Sequence, residues 1–219
     1  MSDTLRVEGL QVTIQGFVIL RNVTLDVPTG GLVGLVGRNG AGKTTTLKSV
    51  TGILPAAGGR IWFDGADLGS VPGHRRARLG IGYMPEDRRL IGALTTEDNI
   101  LLPAWASNLP ASAERLTYIY HLMPEVKRFA GRRASQLSGG QQKLVALARA
   151  LMSGTRLLLL DEPFEGLSPA MGEKLTGTIV ALQHDGLSVL MAESDRKRVA
   201  FAPKLYTIER GEIVEAATT

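Results

Sequence analysis

Hydrophobic residues follow two different periods along this chain, and the alternation between them predicts an α/β fold. Leu32–Val36 and Leu157–Leu160 are continuous apolar runs, too short for helices, which predicts strands buried on both faces. From Leu144 to Met152 the apolar residues recur at helical spacing, which predicts an amphipathic helix ending at Gly154. Partly alternating runs between residues 5 and 27 predict antiparallel strands at the N-terminal end.

Residues 85–139 have a different character, with few β-branched runs and several helix-compatible stretches. We therefore expect a helical subdomain, residues 85–139, inserted into an α/β core formed by residues 1–84 and 140–219. The whole chain, residues 1–219, is interpreted as a single domain. Its core should be a mostly parallel sheet flanked by helices, with the antiparallel strands in the N-terminal part.

Composition narrows the possible functions. The 219 residues are 44% hydrophobic and 21% charged, which is typical of a globular protein with a substantial core. The absence of cysteine excludes disulfides, thiolate zinc sites and cysteine nucleophiles. The net charge of +4 comes from scattered basic residues, which favours a solvated surface over a nucleic-acid interface. No signal peptide or run of about 18–20 apolar residues is evident, so we expect any membrane role to depend on a partner.

A glycine-rich loop follows the first buried strand and precedes a predicted helix. It matches the phosphate-binding pattern G-x-x-x-x-G-K-[ST] at every fixed position. Its backbone N–H groups and the start of the following helix should cradle phosphates, while Lys43 reaches the β- and γ-phosphates and Thr44 ligates Mg²⁺. The predicted nucleotide-binding residues of the loop are Gly37, Arg38, Asn39, Gly40, Ala41, Gly42, Lys43, Thr44 and Thr45.

Two adjacent acidic residues, Asp161 and Glu162, follow the leucine run directly. A carboxylate at the carboxyl end of a strand beside the phosphate loop can hold Mg²⁺ opposite Thr44, and we assign this role to Asp161. Glu162 is then placed to polarise the water that attacks the γ-phosphate. The alternative is a capped strand end without a catalytic role. The phosphate loop upstream favours the catalytic interpretation.

A third motif, Leu137-Ser138-Gly139-Gly140-Gln141, resembles the signature of the ATP-binding-cassette (ABC) ATPases. With the loop and the acidic pair, the resemblance extends over essentially the whole chain. It implies an ATPase that uses Mg²⁺ and pairs with a second ABC ATPase subunit, so that two cassettes close around two ATP molecules. Ser138, Gly139, Gly140 and Gln141 would then contact the ATP held by the partner subunit.

Further segments are similar to the branched-chain amino-acid uptake cassettes, in particular to the shorter of the two ATPases of those systems. These segments are residues 82–89, 94–100, 162–169 and 190–195. The resemblance implies an importer with two transmembrane permease subunits and an external solute-binding protein, and no nucleic-acid partner. The chain would lie at the cytoplasmic face of the inner membrane, with its helical subdomain against the permease.

Several positions depart from the usual cassette pattern. Glu86 stands where most members have a glutamine near Mg²⁺ and the attacking water, and Ser194 stands where most have a histidine that touches the γ-phosphate. The resemblance makes both candidate catalytic residues and makes Glu86 a candidate metal ligand. Ser168 replaces an aspartate that contacts the partner subunit. Phe17 is the nearest aromatic candidate for stacking on adenine, although the usual position corresponds to residue 14 or 15.

Three functions are compatible with these motifs. The first is a transport ATPase, and the second is a non-transport cassette that acts on DNA or ribosomes. The second would predict a long coiled-coil insertion, a tandem cassette or dense basic patches, and the sequence contains none of these. The third is a cassette that binds ATP but hydrolyses it poorly by itself, and Ser194 favours this last alternative.

Overall fold

The computed structural model describes residues 3–218, in which ten strands form one mixed β-sheet with helices packed against it. The strands are β1 (Asp3–Ile14), β2 (Phe17–Pro28), β3 (Leu32–Val36), β4 (Gly58–Phe63), β5 (Ala66–Asp67), β6 (Ile81–Met84), β7 (Leu157–Asp161), β8 (Ser188–Glu193), β9 (Lys204–Glu209) and β10 (Glu212–Thr218). The α-helices are α1 (Lys43–Val50), α2 (Gly73–Arg76), α3 (Thr96–Ser107), α4 (Ser112–Leu122), α5 (Pro124–Arg128), α6 (Gly139–Ser153) and α7 (Pro169–His184).

The strand order across the sheet is β5-β4-β1-β2-β10-β9-β3-β8-β7-β6. Strands β9, β3, β8, β7 and β6 pair in parallel, whereas β1 pairs with β2 and β4 in antiparallel fashion. This arrangement confirms the predicted α/β fold with an antiparallel N-terminal part. It also brings the carboxyl ends of β3, β7 and β8 to one edge of the sheet, where α/β proteins bind ligands.

The leucine run of β7 contributes to two hydrophobic clusters, one on each face of the sheet. Leu157 and Leu159 pack with α1 and the N-terminal strands, whereas Leu158 and Leu160 pack with α6, α7 and the helices between β6 and α6. All four leucines are fully buried. Because successive side chains of a strand point to opposite faces, a strand covered by helices and sheet on both sides needs apolar residues at every position.

Helix α6 forms as its apolar spacing predicts, and it ends at Gly154. Helices α3, α4 and α5, which lie between β6 and α6 in the chain, all contact α6. Strand β8 ends at Glu193, which therefore lies at the carboxyl edge of the sheet. None of the helices formed by residues 3–218 is long and apolar enough to cross a bilayer.

Candidate nucleotide-binding site

The glycine-rich loop connects β3 to α1, and two of its glycines are required by close contacts. A Cβ atom on Gly37 would lie 2.4 Å from the carbonyl oxygen of Ile208. Gly42 caps α1 with a φ of 115°, and a Cβ atom there would lie 2.5 Å from the side chain of Leu20. Only glycine satisfies both the space and the backbone angle at position 42. The start of α1 therefore faces the loop with free N–H groups, the usual arrangement for binding phosphate.

Lys43 is the first residue of α1, and its ammonium group turns back into the loop. Its Nζ donates a hydrogen bond to the carbonyl oxygen of Gly37 at 2.7 Å and lies 3.2 Å from Glu162 Oε1. Both side chains are almost fully buried. Glu162 Oε1 has no aligned hydrogen bond, so the 3.2 Å contact is an ion pair, and this oxygen keeps a lone pair for a further donor such as water.

Thr44 and Asp161 meet across the site. Thr44 Oγ1 donates a hydrogen bond to Asp161 Oδ1 at 3.0 Å, and the hydroxyl of Tyr83 donates to Asp161 Oδ2 at 3.1 Å. Burial raises the pKa of Asp161, while the hydrogen bonds from Thr44 and Tyr83 oppose that rise. A threonine hydroxyl beside one carboxylate is the hard-oxygen set with which proteins hold Mg²⁺ together with nucleotide phosphates. These residues therefore fit the metal that the sequence predicts.

Thr44 and Asp161 do not belong to a larger cluster of metal-binding side chains in the part of the chain that the structure describes. Residues 3–218 contain no group of three or more His, Cys, Asp or Glu side chains that could hold a metal ion. Glu86 lies close enough to Asp161 for its charge to raise the pKa of Asp161.

Glu162 lies at the centre of a buried cluster that joins the ends of β7 and β8. Its Oε2 accepts hydrogen bonds from the backbone N–H and the hydroxyl of Ser194 at 3.2 Å and 3.3 Å. Its backbone has a φ of 47°, an uncommon left-handed value that turns the chain sharply after the strand. Such strain in a non-glycine residue is frequent at functional sites.

Glu193 is a second buried carboxyl within hydrogen-bonding reach of Glu162. Burial, together with the hydrogen bond to Glu162, raises the pKa of Glu193 to about 8. Burial also raises the pKa of Glu162, but hydrogen bonds from Glu193 and Lys43 outweigh it and hold this pKa below its usual value. At neutral pH the pair therefore holds its charge on Glu162 and its proton on Glu193.

A cavity of about 380 Å³ collects most of the predicted residues. It is lined by Ile19, Asn39, Gly40, Gly42, Lys43, Thr44, Thr45, Glu86 and Glu162. An adjacent cavity of about 470 Å³ includes Gly37, Arg38, Ala41 and Ser194 in its lining. Phe17 lines neither cavity and is 73% exposed, but it lies on the same face of β2 as Ile19.

The signature residues Ser138, Gly139, Gly140 and Gln141 lie outside both cavities, at the start of α6. Ser138 caps the helix: its Oγ accepts a hydrogen bond from the N–H of Gln141 at 3.3 Å, and its own N–H donates to Gln141 Oε1 at 3.0 Å. Ser138 and Gly139 are exposed. A Cβ atom on Gly140 would lie 2.7 Å from the side chain of Met171, so packing alone already requires glycine there.

Three residues of this region escape sequence reasoning. Tyr83 lies on β6, beside β7, and only the strand order brings it to Asp161. Glu193 resembles any acidic residue that ends a strand. Lys143 lies within the helix after the signature, where a lysine usually indicates a solvent-exposed position. The one available signal is the apolar surroundings of Lys143 in the sequence.

Comparison with known proteins gives the family. A family model described as "ABC transporter" matches residues 20–165. The branched-chain amino acid transport ATP-binding protein BraG of Pseudomonas aeruginosa is 35% identical over 196 residues, which cover 89% of this chain and 84% of that protein. The lipopolysaccharide export system ATP-binding protein LptB of Escherichia coli is 34% identical over 218 residues, 98% of this chain and 90% of that protein.

A solved structure gives the same result. The dimeric post-hydrolysis state of an ATP-binding cassette, bound to ADP and Pi, superposes with a TM-score of 0.85 at 25% identity and covers 98% of both chains. The family match, the two relatives and this structure agree with the geometry around the phosphate loop. The chain belongs to the ABC transporter family and is an ATP-hydrolysing, ATP-binding subunit of such a transporter.

Proposed function

We propose that this chain hydrolyses Mg²⁺-bound ATP with Glu162 as the general base and thereby energises uptake of a branched-chain amino acid or a related small polar solute. The observation that carries the catalytic part is the convergence of Lys43, Thr44, Glu86 and Glu162 on one cavity. Lys43 and the loop N–H groups would bind phosphate, Thr44 and Asp161 would hold Mg²⁺ with Glu86 nearby, and Glu162 would accept a proton from the attacking water.

The assignment of Glu162 as the base rests on the charge of its carboxylate and on the oxygen that has no hydrogen bond. It keeps its charge at neutral pH because Glu193 holds the shared proton, and its Oε1 has no aligned hydrogen bond. A charged carboxylate that lines the phosphate cavity and has one oxygen without a hydrogen bond meets the requirements of a general base. Ser194 contacts the other oxygen and would orient the side chain.

Purified protein tests this proposal through Glu162→Gln, with Glu173→Gln, an exposed acidic position on α7, as the matched control. We expect the ATPase rate to fall by about 10²–10⁴-fold in Glu162→Gln, with ATP binding retained, and to stay unchanged in the control. Full activity in Glu162→Gln would refute the base assignment. Activity that appears only after a second, different cassette is added would instead favour a chain that binds ATP and depends on its partner for hydrolysis.

Two such chains, or this chain and a second cassette, would close face to face. Ser138 and Gly139 are exposed at the start of α6, outside the cavities of their own chain, so they are free to contact a nucleotide held by another subunit. Phe17 would stack on the adenine of the chain's own nucleotide from the exposed face of β2. Sedimentation of Glu162→Gln should show an ATP-dependent dimer if the partner is a second copy, and a monomer if a different cassette is required.

We propose that residues 85–139 form the helical subdomain that meets the permease subunits at the cytoplasmic face of the inner membrane. A mostly apolar cavity of about 410 Å³ lies where α4 meets the core, and its lining includes Arg78, Leu109, Pro110 and Tyr118. Trp105 on α3 is 53% exposed. Because the chain contains no cysteine, Pro110→Cys introduces a single thiol beside this cavity. A crosslink from that thiol to a co-purified permease would support the proposal. Lys174→Cys on α7 is the control and should give no such crosslink.

The transported solute and its direction distinguish two versions of the proposal. The relative BraG, a branched-chain amino acid transport ATP-binding protein, favours transport of amino acids, whereas the relative LptB, from a lipopolysaccharide export system, favours lipopolysaccharide export. Segments 82–89 and 190–195, which resemble the amino-acid cassettes, lead us to prefer import. Uptake of labelled leucine that depends on this chain and its permease would support import. Loss of surface lipopolysaccharide in cells that lack this chain, with leucine uptake unchanged, would support export.

A further inference from the structure

Lys143 is a buried cation that the chemistry described above does not use. It is 5% exposed, on α6. Its Nζ donates hydrogen bonds to the backbone carbonyl oxygens of Glu162 at 2.6 Å and of Glu165 at 2.7 Å. Burial lowers the pKa of Lys143, and the carboxylates of Glu165, Glu193 and Glu162 oppose that change. A buried ammonium is costly unless its hydrogen bonds are made, so these two bonds hold the side chain in place.

The two carbonyl groups belong to the turn that directs the Glu162 side chain into the site. This turn runs from Glu162 to Gly166, between β7 and α7, and outside regular secondary structure. The left-handed backbone of Glu162 is unfavourable for a non-glycine residue and persists only when the surroundings hold it. Lys143 bonds to both Glu162 and Glu165, which lie three residues apart, and so clamps the turn from the α6 side.

Helix α6 joins this clamp to the signature motif. Lys143 lies five residues after Ser138, the cap of α6, and helical rise places the two about 7.5 Å apart along the axis. The same helix start packs against α7, because Gly140 lies directly beneath Met171. The signature cap and the clamp therefore lie on one uninterrupted helix.

We propose that Lys143 is a positioning residue: from the signature helix α6 it holds the two carbonyl groups of the Glu162 turn and thereby keeps the Glu162 carboxylate directed into the nucleotide site. This inference deepens the proposed function, because it rests on Glu162 as the base. Lys143 itself touches neither nucleotide nor water in this scheme. It acts through two backbone carbonyl groups.

The test compares Lys143→Met, which keeps the length and removes the donors, with Lys143→Gln, which keeps a donor. Lys174→Met, at an exposed position on α7, is the matched control. We expect the kcat of Lys143→Met to fall about 10- to 100-fold, while the Kd for ATP changes less than about twofold. Lys143→Gln should recover at least part of the loss in kcat. Hydrogen exchange of the peptide covering residues 162–168 should speed up in Lys143→Met only.

Three outcomes would overturn the inference. The first is an unchanged kcat in a folded Lys143→Met protein. The second is an equal loss of kcat and ATP affinity that Lys143→Gln does not relieve, which would indicate a purely structural role. The third is unchanged exchange in residues 162–168. Failure of the proposed function is a separate result: if Glu162→Gln remained fully active the base assignment would fall, whereas faster exchange in Lys143→Met would still establish Lys143 as the anchor of the turn.

Discussion

Lys43 and Glu162 form a buried ion pair, with Nζ and Oε1 3.2 Å apart. The residue that should bind phosphate thus neutralises the residue that should activate water. A triphosphate offers Lys43 more negative charge than one carboxylate does, so in the proposed site we expect ATP binding to weaken the ion pair between Lys43 and Glu162. Nucleotide binding and release of the proposed base would then be linked through one lysine.

Replacing this lysine should remove phosphate affinity. In Lys43→Met we expect the affinity for ATP to fall about 10- to 100-fold, because a hydrogen bond to a charged group contributes about 1.5–3 kcal/mol. Isothermal titration calorimetry measures the change. Lys174→Met, at an exposed position on α7, should bind ATP as the unmodified chain does. Equal affinities in the two variants would show that the loop backbone alone holds the phosphates.

The carboxyl pair Glu162 and Glu193 should make stability depend on pH. The pKa of Glu193 is raised from 4.5 to about 8 in the folded protein, so between these values the folded state holds a proton that the unfolded chain has lost. The stabilising contribution is therefore full below pH 4.5, falls as pH rises, and is lost by about pH 8. The lowered pKa of Glu162 acts in the acidic range instead, since its contribution is lost as pH falls.

Chemical unfolding at pH 6, 7 and 8 measures this effect. We expect the free energy of unfolding to decrease by on the order of 1 kcal/mol across the range, since one pKa unit corresponds to about 1.4 kcal/mol and the proton is shared within the pair. Glu193→Gln imitates the protonated form and should flatten the decrease. Glu173→Gln, at an exposed position, should keep it. An identical slope in Glu193→Gln would show that Glu193 is already ionised at pH 6.

Local sequence predicts those parts of the site in which neighbours in the chain are neighbours in space. The phosphate loop is one continuous strand–loop–helix segment, and the signature is a helix cap, so both can be identified from spacing. The acidic pair follows a leucine run that is too short for a helix, which predicts a strand buried on both faces. The fold class was predictable for the same reason, because the change of hydrophobic period marks each element.

The remaining contacts of the site depend on which strands are neighbours in the sheet. Tyr83 reaches Asp161 because β6 pairs with β7, and Glu193 reaches Glu162 because β8 lies on the other side of β7. Hydrophobic periodicity gives strands but not their order, so these contacts were not predictable from it. A buried lysine such as Lys143 is hidden for a further reason, because its partners are backbone carbonyl groups, which leave no trace in residue type.

Tyr83 should tune the metal site. Its hydroxyl donates to Asp161 Oδ2, and Tyr83→Phe removes that bond while leaving Thr44 on the other oxygen. A hydrogen-bond donor to a carboxylate that holds a metal ion keeps that carboxylate oriented. In Tyr83→Phe we therefore expect the Mg²⁺ concentration for half-maximal ATPase activity to rise by about tenfold, while the activity at saturating Mg²⁺ is largely kept. Tyr120→Phe removes a comparable hydrogen bond between Tyr120 on α4 and Glu97 on α3, and it should leave the Mg²⁺ dependence unchanged. A lower rate at every Mg²⁺ concentration would contradict this role.

Ser194 should have a measurable but small effect on hydrolysis. Glu162 Oε2 accepts bonds from both the backbone N–H and the hydroxyl of Ser194, and Ser194→Ala removes only the hydroxyl. A single hydrogen bond of this kind contributes about 0.5–1.5 kcal/mol, which corresponds to a fall in kcat of about 2- to 12-fold. Steady-state ATPase assays measure the change, and Ser70→Ala, at an exposed position lining neither cavity, is the control.

The size of the loss distinguishes two roles for Ser194. A small fall in kcat with an unchanged KM for ATP means that the hydroxyl only orients Glu162, which the backbone N–H continues to hold. A fall of a hundredfold or more would mean that the hydroxyl contacts the γ-phosphate or the attacking water itself, in the position where most cassettes have a histidine. Because Ser194 is exposed and lines the cavity beside Arg38, Ser194→His can be accommodated and separates the two roles. If Ser194 only orients the base, the histidine variant should not exceed the rate of the unmodified chain.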